Sequence, residues 1–325
     1  MWVALGRRAA AGVGVVVGVV SLTFLLLHLA PGDPAARLVG PRAGPAALAA
    51  ARHALGLDQP LPVQYVHWVT AFARGDWGDS LTSGRTVRSV LAEAWPETAR
   101  LVLWSLLLSY GLGILIGVVQ TAYRDRWVDT ALSITSVTLY ALPGYWIGLM
   151  LVLVATFRLH ALPAFGAAGL DSDLLSGWAK RGDALRHLVL PVLTLTLAGA
   201  GGAARFTRGA LREVAREPYV TTARAKGLGP ARVWLVHGLR NALGPVITLL
   251  GLSLPAVFSG VVFVEAVFAW PGLGRVLVAA VAGRDYPVVM AATAISALLV
   301  VAGNLFADLL AVAVDPRLRD ARPLA

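Results

Sequence analysis

Cysteine is absent from this chain of 325 residues, which excludes disulfides, thiol nucleophiles and cysteine metal centres. Charge is scarce as well: Asp, Glu, Lys and Arg together make up 14% of the residues, against 57% hydrophobic. With a mean hydropathy of +0.71 the chain is too apolar for a soluble globular domain. No Gly-Lys pair occurs, so a GxxxxGK[ST] phosphate loop is excluded. What is present is a series of long apolar runs, the pattern of a multi-span membrane protein. The net charge of +10 would suggest nucleic acid in a soluble protein. Here Lys and Arg sit in loops beside apolar runs, which reads as membrane orientation and predicts no nucleic-acid partner.

A helical span needs about 20 apolar residues, because a helix rises about 1.5 Å per residue through a hydrocarbon core of about 30 Å. Six segments qualify: Ala9–Leu29, Leu101–Gln120, Thr130–Phe157, Leu188–Ala204, Leu243–Val264 and Val288–Ala307. The fourth is the shortest. The third is the longest and is interrupted by Pro143 and Gly144, so a kink or tilt is expected there. Arg7 and Arg8 precede the first run as they would in a signal peptide, but the run exceeds a signal core of about 7–15 residues, so an uncleaved anchor is expected.

Loop charges give the orientation. Between Arg205 and Asn241 there are eight basic residues against Glu213 and Glu217, a balance of +6, which places that loop in the cytoplasm. The loop from Pro31 to Glu97 carries six basic and six acidic residues, which suits the outside. Six spans then put both termini in the cytoplasm, with Arg7 and Arg8 at one end and Arg317, Arg319 and Arg322 at the other. The turn from Tyr123 to Trp127 falls inside by the same count, its aromatics at headgroup level.

The most distinctive polar segment is EPYVTTARAKGLGPARVWLVHGLRNALGP, Glu217 to Pro245. Pro218 suits the first turn of a helix and Gly227 the position just past its end, so Tyr219–Lys226 is predicted as a short helix. Gly229 and Pro230 turn the chain, and Ala231–Leu243 begins a second helix leading into the fifth span. A basic loop of this kind can simply hold orientation and touch anionic lipid. Tyr219, Val220 and Leu228, with the paired glycines, instead describe a shaped knob that offers apolar contacts to a protein partner.

This segment resembles the EAA loop of permease subunits in ATP-driven (ABC) importers. The family pattern is Glu-Ala-Ala, three residues, then Gly. With the glycine on Gly227, the first positions fall on Thr221, Thr222 and Ala223, so the glutamate is missing, and a later proline is replaced by Arg240. Those departures match the dipeptide and oligopeptide permeases and their nickel and glutathione relatives. Further stretches resemble that branch in order and spacing. They include LLLHLAPGDPA (Leu25–Ala35), LGLDQPLPVQYVHWV with GDWGDSL (from Leu55 to Leu81), WPETARL (Trp95–Leu101) and LPGYWIGLMLVLV. The C-terminal third adds FSGVVFVEAVFAWPGLGRVL (Phe258–Leu277), GRDYPVV (Gly283–Val289), and NLFADLL with VDPRLR (Asn304–Arg319).

The resemblance implies an all-α integral membrane protein with six transmembrane helices and the type I importer permease (MetI-like) fold. It divides the chain into residues 1–94, a first helix and a long extracytoplasmic loop; 95–312, the permease domain with a coupling loop at about 205–242; and 313–325, a cytoplasmic tail. It implies ATPase coupling through Glu217, Tyr219, Thr221, Thr222, Ala223, Lys226, Gly227 and Leu228, and an external mouth involving Glu265, Trp270, Pro271 and Gly272. The turn around Trp270 reads equally as a capped helix end. The implied partners are a second homologous permease, one or two cytoplasmic ATPase subunits, an extracytoplasmic substrate-binding protein and membrane lipid. ATP and Mg would be bound by the ATPases, with no cofactor, metal or catalytic residue in this chain. Peptide is the expected substrate, with nickel or glutathione as alternatives.

Intramembrane polar residues are few. His28 is expected to be hydrogen-bonded near the outer end of the first span, and Asp308, one turn from Asn304, to pair with a basic residue. An intramembrane enzyme would have to draw on His28, Glu265 and Asp308, which belong to different ends of the spans. A lipid-binding scaffold reading headgroups through the basic loop is a third class. Gly14 with Gly18, Gly113 with Gly117, and Gly144 with Gly148 permit close helix approach, either within the chain or against a second permease.

Overall fold

The computed structural model describes residues 2–30, 32–40, 44–229 and 232–314. The C-terminal tail from Asp315, with all of VDPRLR but its first residue, and Pro230 of the expected turn lie outside these residues. Among the described residues the only β pairing is one isolated bridge between Asp79 and Thr86; the rest of the regular structure is helical. The helices are α1 (Trp2–Leu29), α2 (Pro34–Val39), α3 (Pro45–Ala54), α4 (Leu61–Ala73), α5 (Val87–Ala122), α6 (Trp127–Ala141), α7 (Gly144–Arg158), α8 (Gly177–Val214), α9 (Pro218–Ala225), α10 (Val233–Val267), α11 (Leu273–Gly283) and α12 (Tyr286–Val314). Five are long and apolar enough to cross a membrane, and six spans result if α6 and α7 together count as one.

That pair departs from a simple kink. The axes of α6 and α7 differ by 104°. Pro143 has no N–H to donate and forces the preceding residue out of the helical region, so Leu142 is extended (φ −74, ψ 137). Trp146 N then donates to the Pro143 carbonyl at 2.9 Å and a new helix starts in another direction. Neither half reaches the length of a span alone. Conversely α8, which contains the shortest apolar run, is a helix of 38 residues, because TRGALREV continues it well past Ala204.

The chain packs as two units: Leu5–Thr98 with Pro271–Val301, and Ala99–Trp270 with Met1–Ala4 and Ala302–Ala325. In the first, the long segment between α1 and α5 is itself largely helical. Asp33 caps α2 by accepting Ala35 N at 2.9 Å, and Arg52 Nε on α3 donates to it at 2.7 Å. Proline in the first turn starts each of α2, α3 and α4. Phe72 stacks between Trp68 and Trp77, with centroids 5.0 and 5.3 Å away. Asp285, 1% exposed, accepts Ser80 Oγ (2.5 Å), Thr82 Oγ1 (2.8 Å) and Thr82 N (3.2 Å), pinning the turn after Asp79 to the start of α12. The core beneath is Val87, Leu91, Ala94, Leu273, Ala280 and Val288.

In the second unit α8 is central: 61% of its span is buried, against 11% for α1, and it packs against α6, α7 and α10. Small residues make this possible. A Cβ on Gly201 would lie 2.3 Å from the Ser136 carbonyl oxygen of α6. On α5, a Cβ on Gly113 would lie 2.5 Å from Ala203 Cβ, and one on Gly117 2.8 Å from Thr207 Cβ. The Gly113–Gly117 pair therefore serves packing within the chain, whereas a Cβ on Gly14 or Gly18 of α1 would meet nothing within 4 Å.

Candidate functional site: the α8–α9–α10 knob

The knob is built from its sequence in three steps. Glu217 ends the link after α8, and its carbonyl accepts Val220 N at 3.1 Å and Thr221 N at 3.4 Å, so Pro218 opens α9 where no N–H is needed. Thr222 Oγ1 donates back to the Pro218 carbonyl at 2.9 Å. Gly227, at φ 73, closes the helix, and Leu228 N donates to Ala223 O at 3.3 Å, a Schellman closure. The chain then enters α10 through a π-helical turn, Val233–Gly238.

Two apolar clusters seat α9. Val220 (0% exposed), Ala223 and Val233 pack together with Val214 and Leu228. Behind them Trp234 inserts among Val118, Ala210, Leu211 and Ala242, tying the start of α10 to α5 and α8. A Cβ on Gly238 would sit 2.9 Å from the Trp234 ring, so the indole lies directly on the helix backbone.

The site residues expected from sequence therefore divide. Glu217, Tyr219, Thr221, Thr222, Lys226 and Gly227 are exposed. Ala223 is turned inward, so its small size serves the seat of the knob, and Leu228 is half-buried beside it. Tyr219 forms one wall of a cleft completed by Val236, His237, Arg240 and Asn241. Desolvation raises the pKa of its phenol and the neighbouring Glu217 charge adds to this, while a hydrogen bond with the Asn241 side chain opposes both. Arg212, Arg216, Arg232 and Arg240 are all exposed around the knob, leaving it strongly cationic.

Sequence reasoning missed Trp234 and one ion pair. Arg208 Nη2 of α8 donates to Asp129 Oδ2 of α6 at 2.5 Å, with the carboxylate side chain 6% exposed. The available signal was an acid in the first turn after the YRDRW bend, facing a run of arginines 79 residues on.

The second expected set forms a helix closure. Ala269 is left-handed (φ 49), Trp270 N donates to Glu265 O at 2.9 Å and Ala269 N to Ala266 O at 3.4 Å, again the Schellman arrangement. Glu265 and Trp270 are fully buried, with the Arg100 guanidinium 4.9 Å above the Trp270 ring. Pro271 and Gly272 lead into α11 in the other unit. The geometry is that of a capped helix end. His28 is hydrogen-bonded as expected, Nδ1 to the Phe24 carbonyl at 2.8 Å and Nε2 to Gln64 Oε1 at 3.1 Å. Among the described residues no cluster of three or more His, Asp or Glu is arranged to hold a metal.

Comparison with known proteins decides the family. The profile described as "Binding-protein-dependent transport system inner membrane component" matches residues 109–320, and its N-terminal companion, "Binding-prot-dependent transport system membrane comp, N-term", matches residues 1–102. The chain belongs to this family of transport-system membrane components. The oligopeptide transport system permease protein AppB of Bacillus subtilis (strain 168) is 38% identical over 313 residues, covering 96% of this chain and 98% of that protein. The di/tripeptide transport system permease protein DppB of Pseudomonas aeruginosa (strain UCBPP-PA14) is 39% identical, covering 98% and 99%. The glutathione transport system permease protein GsiC of Salmonella choleraesuis (strain SC-B67) is 40% identical, covering 92% of each chain. Among solved structures, an inward-facing MetNI methionine ABC transporter is similar with a TM-score of 0.56 at 16% identity, covering 70% of this chain and 96% of that one. The fold of this permease is thus of that ABC-transporter kind, and its family, described as an inner membrane component, together with its apolar helices places it in the inner membrane.

Proposed function

We propose that this permease forms half of the translocation path of an ATP-driven peptide importer, and that α9 is its contact with a cytoplasmic ATPase. The observation that carries the reading is the construction of α9: an exposed polar face of Thr221, Thr222 and Lys226, held by a packed underside on α8 and α10. A helix seated this way moves with the spans to which it is tied, so closure of an ATPase dimer beneath it would rock α8 and α10. ATP and Mg belong to the ATPase subunits, a second homologous permease completes the path, and an extracytoplasmic binding protein delivers substrate. The +6 loop lies in the cytoplasm, with both termini on that side.

Peptide is the favoured substrate because full-length relatives carry oligopeptide and di/tripeptide names. Glutathione, itself a tripeptide, is the second reading, since relatives named for it are equally similar. The complex reconstituted in liposomes with its binding protein is expected to take up labelled di- and tripeptides only with ATP. Uptake of glutathione alone would select the second reading, and ATP-independent uptake would overturn the importer.

A further inference from the structure

Arg208 near the end of α8 and Asp129 at the start of α6 form an ion pair between positions 79 residues apart in the chain. Arg208 lies six residues before the end of α8, on the stretch that leads into α9. Its partner stands in the first turn of α6, where Asp129 Oδ2 also accepts Asp125 N at 3.4 Å from the tight turn after α5. Ser133 Oγ approaches Asp129 Oδ1 at 3.5 Å, and Gln120 Nε2 of α5 donates to Ser133 Oγ at 3.0 Å. One polar chain thus crosses α5, α6 and α8 beside the knob. Elsewhere α8 meets its neighbours largely through small residues, Gly201 on the α6 backbone and Gly113 and Gly117 of α5 on Ala203 and Thr207, with Ser109 Oγ of α5 donating to the Thr196 carbonyl at 3.3 Å and Arg205 over the Tyr140 ring of α6 at 5.6 Å. None of these is a charge pair, whereas the Asp129–Arg208 ion pair, its carboxylate 6% exposed, is directional and favours one register of α6 on α8.

We propose that the Asp129–Arg208 pair is the strut that makes the α5–α6 turn follow α8, so that displacement of α9 reaches the membrane helices as one movement. Both are positioning residues for coupling. The proposal rests on the reading of α9 as the ATPase contact and adds a residue pair outside that contact. The link runs through a single guanidinium nitrogen, Nη2, so a lysine ammonium can replace it.

The test is peptide imported per ATP hydrolysed by the reconstituted full complex, with cross-linking to the ATPase read in a parallel set of the same variants that carry Thr222→Cys as the sole cysteine of this chain. Asp129→Asn and Arg208→Gln are each expected to lower that ratio at least about fivefold while the cysteine cross-links to the ATPase in undiminished yield. Arg208→Lys and the exchanged pair Asp129→Arg with Arg208→Asp are expected to retain it. An unchanged ratio in either single neutral variant overturns the proposal, as does loss of coupling in the exchanged pair or in Arg208→Lys. If the neutral variants fail to assemble, the latter two decide alone. Failure of the cross-link in the otherwise unsubstituted chain would instead refute α9 as the ATPase contact.

Discussion

Gly227 and Ala269 occupy the same position of the same helix closure, one with the residue that suits it and one without. A Cβ on Gly227 would meet nothing within 4 Å, so the effect of any substitution there comes from the backbone at φ 73. Asparagine tolerates that conformation, alanine pays about 1–2 kcal/mol, and a β-branched residue more. Gly227→Asn is therefore expected to keep ATP-driven uptake, and Gly227→Val to lose uptake while the chain still inserts and its complex still hydrolyses ATP. Full uptake by Gly227→Val would contradict the assignment. At Ala269 the converse holds: Ala269→Gly removes the strain of φ 49 and is expected to stabilise the protein by up to about 1 kcal/mol. A thermal-unfolding shift in detergent reads this out, and a lowered midpoint would refute it. Gly227 was legible in the sequence because glycine advertises the left-handed position. The same closure at Ala269 was not, because alanine carries no such mark.

Among the elements, α8 depends on its small residues. Gly201→Leu would drive a side chain into the Ser136 carbonyl and force α6 away, with an overpacking cost of about 1–3 kcal/mol. Trp234→Ala would empty the pocket behind the knob at a cost of about 3–5 kcal/mol. Both are expected to reduce the amount of assembled complex seen by size-exclusion chromatography, and undiminished assembly of both would contradict the packing described. The apolar runs made the existence and order of the spans legible, since about 20 apolar residues have few other uses. Their ends were less so. The helix of α8 continues where hydropathy stops, because backbone hydrogen bonding does not require lipid around it. The break at Pro143 was visible as a residue, but its angle of 104° is set by where α7 packs, which no local pattern encodes. The Asp129–Arg208 pair joins positions 79 residues apart, and only the assembled helices bring them together.

For the whole molecule, the surfaces left open matter as much as those closed. α1 is the least enclosed of the five long apolar helices, and a Cβ on its Gly14 or Gly18 would meet nothing within 4 Å, which leaves that face for lipid or a second permease. The polar knob of α9, by contrast, is exposed within the segment whose charge balance is +6. Because the chain contains no cysteine, a single introduced one reports its surroundings without interference. The most direct measurement is cross-linking of the reconstituted complex through Thr222→Cys on α9, compared with Leu170→Cys, whose side chain is fully exposed in the loop before α8. The account predicts a product with the ATPase from position 222 and none from position 170. A product from position 170, or a Thr222→Cys thiol labelled from the external side with no ATPase attached, would contradict it.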